Sequence, residues 1–144
     1  MLRMRRQPQE TTEEVEVFPS GATSDAFWWW PWQTLPSNAT TANEDEVWNS
    51  GRFAPASICF TFDAPFRCTR IELLPCMEPK TGSVVHEIRT GSDVFNYSGS
   101  ATDNVWIKAV FGGDGLRVKS VEILTLQSPS WVAWRRVRFW TKVK

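Results

Sequence analysis

Residues 116–140, "LRVKSVEILTLQSPSWVAWRRVRFW", decide the fold of this chain. In its closing ten residues Val137 and Phe139 alternate with Arg136 and Arg138. That period of two gives a strand one packed face and one charged face. The "SPSW" cluster at 128–131 separates this strand from the apolar-rich run "LRVKSVEILTL" before it. Serine and proline are turn formers for definite reasons: a short hydroxyl side chain that bonds local backbone, and a ring that fixes φ. Two strands and one turn follow.

The same grammar extends toward the N-terminus. "SICFTF" at 57–62 puts Ile58, Phe60 and Phe62 on one face, and "RCTRIEL" at 67–73 sets Cys68, Ile71 and Leu73 among charged neighbours. "DAPF" at 63–66 reads as the turn of a hairpin between them. "SVVHEIRT" at 83–90 sets Val84, His86 and Ile88 against Val85, Glu87 and Arg89. With "VEVF" at 15–18, "DVFNY" at 93–97 and "NVWIKAVF" at 104–111, about eight strands emerge, and no stretch carries a convincing helical repeat. "FGGDG" at 111–115 lacks the lysine and helix of a phosphate loop, so it is expected to turn one strand into the next. The class is all-β, and the simplest closure is a two-sheet jelly-roll β-sandwich of about eight strands.

At 144 residues the chain is long enough for one well-buried domain and too short for two comfortable ones. Residues 1–14 are polar, charged and aperiodic, and are expected to form a flexible tail, with the sandwich spanning 15–144. Sixteen basic and sixteen acidic side chains cancel, so no global field draws the molecule to nucleic acid or anionic lipid. No apolar run is long enough to span a bilayer as a helix. The opening arginines are followed by "QPQETTEEVEV" and not by an apolar segment, so the expectation is cytoplasmic synthesis without a signal peptide, with any release by a non-classical route. Cys59, Cys68 and Cys76 are odd in number and lack paired spacing, which argues for reduced thiols, with Cys68 in the core.

The outlier is tryptophan. Nine are present, four of them in "FWWWPW" at 27–32. No activated nucleophile, carboxylate pair or metal triad assembles around them, so a binding module is expected and not an enzyme. A pyranose lays its apolar C–H face on indole while its hydroxyls seek planar, multi-donor groups. On that chemistry Trp28, Trp30 and Trp131 are the platform candidates, and His86 and Arg89 the polar ones. Trp48 and Trp106 are expected in the core. Alternation sends Trp29 one way and its two neighbours the other, so part of this run should be inside. Other partners draw on the same residues. Arg135, Arg136, Arg138, Lys142 and Lys144 interleave with Trp134 and Trp140, a chemistry suited to nucleic acid, though net neutrality argues against it. Membrane binding lacks a polybasic complement to the indoles. Protein docking or homo-oligomerisation remains the main alternative to a glycan, because Trp and Arg dominate interface hot spots.

The order of these pieces resembles the discoidin family, the coagulation factor 5/8 type C domains within the galactose-binding-like jelly rolls. The resemblance runs through "PSGATS", "NATTANEDEVWNSG", "SICFTFDAPFRCTRIELLPC" and the closing 116–140 stretch, from about residue 15 to 140. It implies a ligand site on loops at one end of the sandwich, with "FWWWPW" in a loop that bears adjacent tryptophans in membrane-binding members. It also raises calcium, held in sugar-binding members by loop oxygens and a late glutamate. Here Asn43, Glu44, Asp45 and Glu46 offer oxygens, but Arg136 stands at the late position. A cation there argues against calcium, which the loop oxygens still leave open, and no other cofactor is expected. The family's terminal cysteine pair and its "Ser-Asp-Gly" after the fourth strand are also missing.

Overall fold

A computed structural model describes residues 13–26, 35–41, 46–91 and 93–143. Among them ten strands form two antiparallel sheets. In chain order they are β1 (Glu13–Val17), β2 (Gly21–Thr23), β3 (Trp48–Asn49), β4 (Ala56–Cys68), β5 (Arg70–Pro75), β6 (Thr81–Arg89), β7 (Val94–Thr102), β8 (Ile107–Val110), β9 (Leu116–Gln127) and β10 (Ala133–Val143). One sheet runs β1-β10-β5-β8, with β3 also paired to β10, and the other runs β2-β4-β9-β6-β7. A short 3-10 helix, Pro36–Thr40, tucks Ala39 into the core. The all-β two-sheet sandwich is therefore the observed architecture, with two very short strands, β2 and β3, beyond the eight expected.

Alternation explains most of the core. Ile58, Phe60 and Phe62 of β4 face Val121 and Ile123 of β9 and, from the other sheet, Val137 and Phe139 of β10. The Phe139 ring lies edge-on to Phe60 at 5.2 Å and to Phe62 at 5.0 Å. Such aromatic contacts add about 0.5–1.5 kcal/mol each beyond area burial. Cys68 packs here as a small hydrophobe, and burial pushes its thiol up to about 11. All three cysteines are free thiols.

Four expectations are corrected. "DAPF" is not a hairpin turn. β4 continues through it to Cys68 with a register shift in which residues 62–65 face Lys119 alone. A bulge accommodates Pro65, which has no N–H for a ladder. The chain then changes sheet at Thr69, so "SICFTF" and "RIEL" belong to opposite layers. The strand pairing also starts earlier than Val15, because Glu13 and Glu14 lie in β1 and Glu14 pairs with Arg70 at 3.7 Å. Trp106 is half-buried and not in the core, since it precedes β8 and sits under the Arg138 guanidinium at 5.9 Å. Trp134, counted with the basic residues as a nucleic-acid contact, is instead only 1% exposed.

"FGGDG" does turn one strand into the next, carrying the chain from β8 to β9 and across to the opposite sheet. Gly115 there has a positive φ of 84°, and a Cβ at that position would collide with the Cys68 carbonyl. Only glycine fits so close an approach.

Candidate functional site

One end of the sandwich gathers the connections β3–β4, β5–β6, β7–β8 and β9–β10, and there the described residues form a groove of about 670 Å³. Its apolar wall is Trp131 and Phe53, whose rings meet edge-on at 6.2 Å and an interplanar angle of 80°. They are 40% and 59% exposed. Both are held by backbone that cannot drift. The Ser50 N–H donates to the Val132 carbonyl at 2.8 Å, and the Val132 N–H donates to the Arg52 carbonyl at 3.1 Å. Ser130 Oγ accepts from the Glu78 N–H at 2.9 Å, tying the Trp131 loop to the β5–β6 connection.

The polar wall centres on an ion pair. Arg135 Nη2 donates to both carboxylate oxygens of Asp103 at 3.2 Å, and Asp103 Oδ1 also accepts from the Met77 N–H at 2.8 Å. Asp103 stands in the β7–β8 turn, next to Asn104 with a positive φ of 61°. Arg135 occupies a register shift of β10, between Trp134 and Arg136. Strict alternation with Val137 would send Arg135 into the core. The bulge turns Trp134 inward instead and aims Arg135 at the groove. Asn49, Glu78 and Lys80 complete the rim.

The root of the tryptophan-rich segment stands at the same end. Ser24 Oγ donates to the Ser57 carbonyl at 2.7 Å, Asp25 pairs with Arg52 at 3.0 Å, and Trp48 Nε1 donates to the Ala26 carbonyl at 2.9 Å. Arg52 directly precedes Phe53. Trp28, Trp30 and the other indoles of that run lie outside the described residues.

The remaining candidates separate. Trp131 lies on the groove with its ring exposed. His86 does not reach the groove surface: it is 4% exposed on the inner face of β6, shares a 2.8 Å hydrogen bond between Nδ1 and Thr125 Oγ1, and packs 4.9 Å from the Trp134 ring. Burial pushes its pKa down to about 4, so the neutral imidazole is the resident form. Its inward direction was legible in the alternation with Val84 and Ile88. Arg89 lies at the other end of β6, opposite Glu122, whereas Val85 is the residue opposite Gln127 near the groove. Four residues of strand are about 13 Å. Arg89 instead joins Glu87 at 3.4 Å and Glu122 at 3.5 Å. Phe53 and Asp103 were not singled out from sequence as site residues, and Arg135 was grouped only with the basic residues suited to nucleic acid. Only "DN" at 103–104 carried a local signal, that of a turn.

Cations and indoles meet a second time on the outer face of the β1-β10-β5-β8 sheet, with a different outcome. Glu16 of β1 takes Arg136 at 3.0 Å and Arg138 at 2.7 Å. Trp140 has the Arg70 guanidinium 4.7 Å and the Arg138 guanidinium 4.5 Å from its ring centroid, and its Nε1 donates to Glu72 at 2.7 Å. Arg136 and Arg138 of the basic C-terminal strand are thus partnered within the molecule. Among the described residues no group of three or more His, Cys, Asp or Glu side chains is placed to hold a metal. Asn43, Glu44 and Asp45 lie outside the described residues, and Arg136 is engaged with Glu16.

No protein-family model and no curated protein matches the chain. Solved structures do. The fold is similar to a family 32 carbohydrate-binding module from C. perfringens NanJ in complex with galactose, with a TM-score of 0.71 and 14% identity over 89% of this chain and 99% of that one. It is also similar to the CBM32 of AlyQ in complex with 4,5-unsaturated mannuronic acid (TM-score 0.69, 16% identity, 87% and 97% of the two chains). A third is CpGH89CBM32-5 from Clostridium perfringens, in complex with GalNAc-β-1,3-galactose (TM-score 0.68, 14% identity, 83% and 93%). At such identities the likeness establishes the galactose-binding-like jelly roll, a fold shared with discoidin domains.

Proposed function

We propose that this chain is a non-catalytic carbohydrate-binding module whose ligand lies in the groove between Trp131 and the Asp103–Arg135 pair. The observation that carries the reading is the juxtaposition of an exposed indole with a fixed donor and acceptor across one open groove. A sugar ring needs both. Its C–H face displaces water from the indole, and its hydroxyls replace lost water contacts only if partners stand ready at hydrogen-bond distance. The neighbours' glycan ligands support the same reading by analogy of fold, a weaker warrant than the site itself. Trp28 and Trp30 extend the platform in this proposal, because their segment is rooted beside Phe53.

A glycan array with the intact chain and Trp131→Ala tests it. Binding that disappears in the variant is the expected result. Silence of the intact chain across the array, together with a concentration-dependent mass in light scattering that Trp131→Ala abolishes, would transfer this surface to protein docking or self-association.

A further inference from the structure

Resting on the carbohydrate reading, we infer that the groove selects neutral, hydroxyl-rich saccharides and rejects uronic and sulfated ones, with the Asp103–Arg135 pair as the selecting device. The charges decide this. Among the described residues the groove is lined by two cations, Lys80 and Arg135, and two acids, Glu78 and Asp103. An acidic sugar that approached the Arg135 guanidinium would also meet the Asp103 carboxylate, because Arg135 Nη2 donates to both Asp103 oxygens and the pair carries no net charge. Asp103 is itself fixed by the Met77 N–H, so it cannot swing away to release Arg135. Lys80 is an exposed point charge on a flexible stem, a weak and easily screened partner. In the sequence, segment 27–34 carries no charge and 42–45 adds only Glu44 and Asp45, so neither supplies a cation.

A hydroxyl meets the opposite reception. Each sugar hydroxyl both donates and accepts, and the pair presents one acceptor and one donor in rigid register. Asp103 accepts three hydrogen bonds within the protein, which leaves lone-pair capacity on a carboxylate with about four sites. Arg135 bonds Asp103 through Nη2 alone and its Nε is buried without a partner, so a ligand would draw on Nη1. Two adjacent hydroxyls can therefore bridge the pair without disturbing its net charge of zero. Bonds of this kind, to charged groups, are worth about twice a neutral one.

The test compares neutral, uronic-acid and sulfated saccharides printed at equal density, followed by titration of the best neutral and best uronic ligands. The intact chain should favour the neutral set by about tenfold or more. Asp103→Asn keeps the shape, removes the acceptor's charge and releases Arg135. It should lose about tenfold on the neutral ligand and gain on the uronic one, a gain that 0.5 M NaCl suppresses. Glu78→Gln, at an exposed residue with no structural side-chain role, should shift the ratio in the same direction by a smaller factor. It keeps the question decidable if Asp103→Asn fails to fold. An intact chain that prefers acidic sugars, or a ratio unmoved by both variants while Trp131→Ala abolishes all binding, overturns the inference and leaves the carbohydrate reading standing. No binding to any saccharide overturns both.

Discussion

Arginine and tryptophan meet in two places on this molecule. On the outer face of the β1-β10-β5-β8 sheet, Trp140 is flanked by the Arg70 and Arg138 guanidiniums and bonded to Glu72, while Glu16 holds Arg136 and Arg138. At the loop end, Trp131 turns an exposed ring to a groove whose Arg135–Asp103 pair faces open space. The first cluster is enclosed by its own ion pairs and ring contacts, with Arg70 Nε and Arg136 Nε buried inside it without hydrogen-bond partners. The second leaves an exposed ring and an ion pair on an open groove, where the proposed ligand would lie. Residue type alone did not distinguish them; the state of their partners does.

Four measurements can break or sharpen that contrast. The largest effect belongs to the closed cluster. Glu16→Gln leaves two guanidiniums close together with no carboxylate between them, and should cost about 3–4 kcal/mol in urea unfolding while glycan affinity is unchanged. A loss of binding with it would show that the two regions are coupled. Acid comes next. His86, ordinarily near 6.5 and pushed down to about 4 by burial, binds its proton in the unfolded chain before the folded one. Its contribution is fully present above about pH 6.5 and is lost as pH falls toward 4, for a total of about 3 kcal/mol. Unfolding free energies at pH 7 and 4.5 should show that slope, and His86→Gln should flatten it. Trp131→Ala follows, with a glycan affinity lower by about 2 kcal/mol, roughly 30-fold, and little change in melting temperature. A melting loss as large as the binding loss would move Trp131 into the structural class. Smallest is Arg89→Ala. Its exposed pairs with Glu87 and Glu122 are worth under about 0.5 kcal/mol, and its distance from the groove predicts unaltered glycan titrations.

The sequence was most readable where side chains simply alternate. β4, β6, β9 and β10 each carry their buried residues at every second position for part of their length, which is why the sandwich and the inward Val84, His86 and Ile88 could be anticipated. It was least readable where a strand departs from that period. "DAPF" looked like a turn because proline and aspartate usually make one, yet neighbouring β9 pairing draws the segment into a bulge. Arg135 was read only as one of a basic run, because one extra residue in β10 reverses the direction that alternation assigns to it. Its partner Asp103 is 32 residues away in the chain, and no local pattern announces such a meeting. Phe53, beside "NSGR", had no periodicity to mark it. Trp131, proposed from sequence as a stacking platform, is exposed on the groove, at the strand junction that "SPS" marks.

Trp48 has a consequence for how this molecule could change over generations. Its ring is wholly enclosed, yet its nitrogen reaches the Ala26 carbonyl, the last described residue before the tryptophan run. The take-off point of that run is thereby bolted to the interior. Changes after residue 26 leave that anchor itself untouched, so the mount can outlast the sequence it carries.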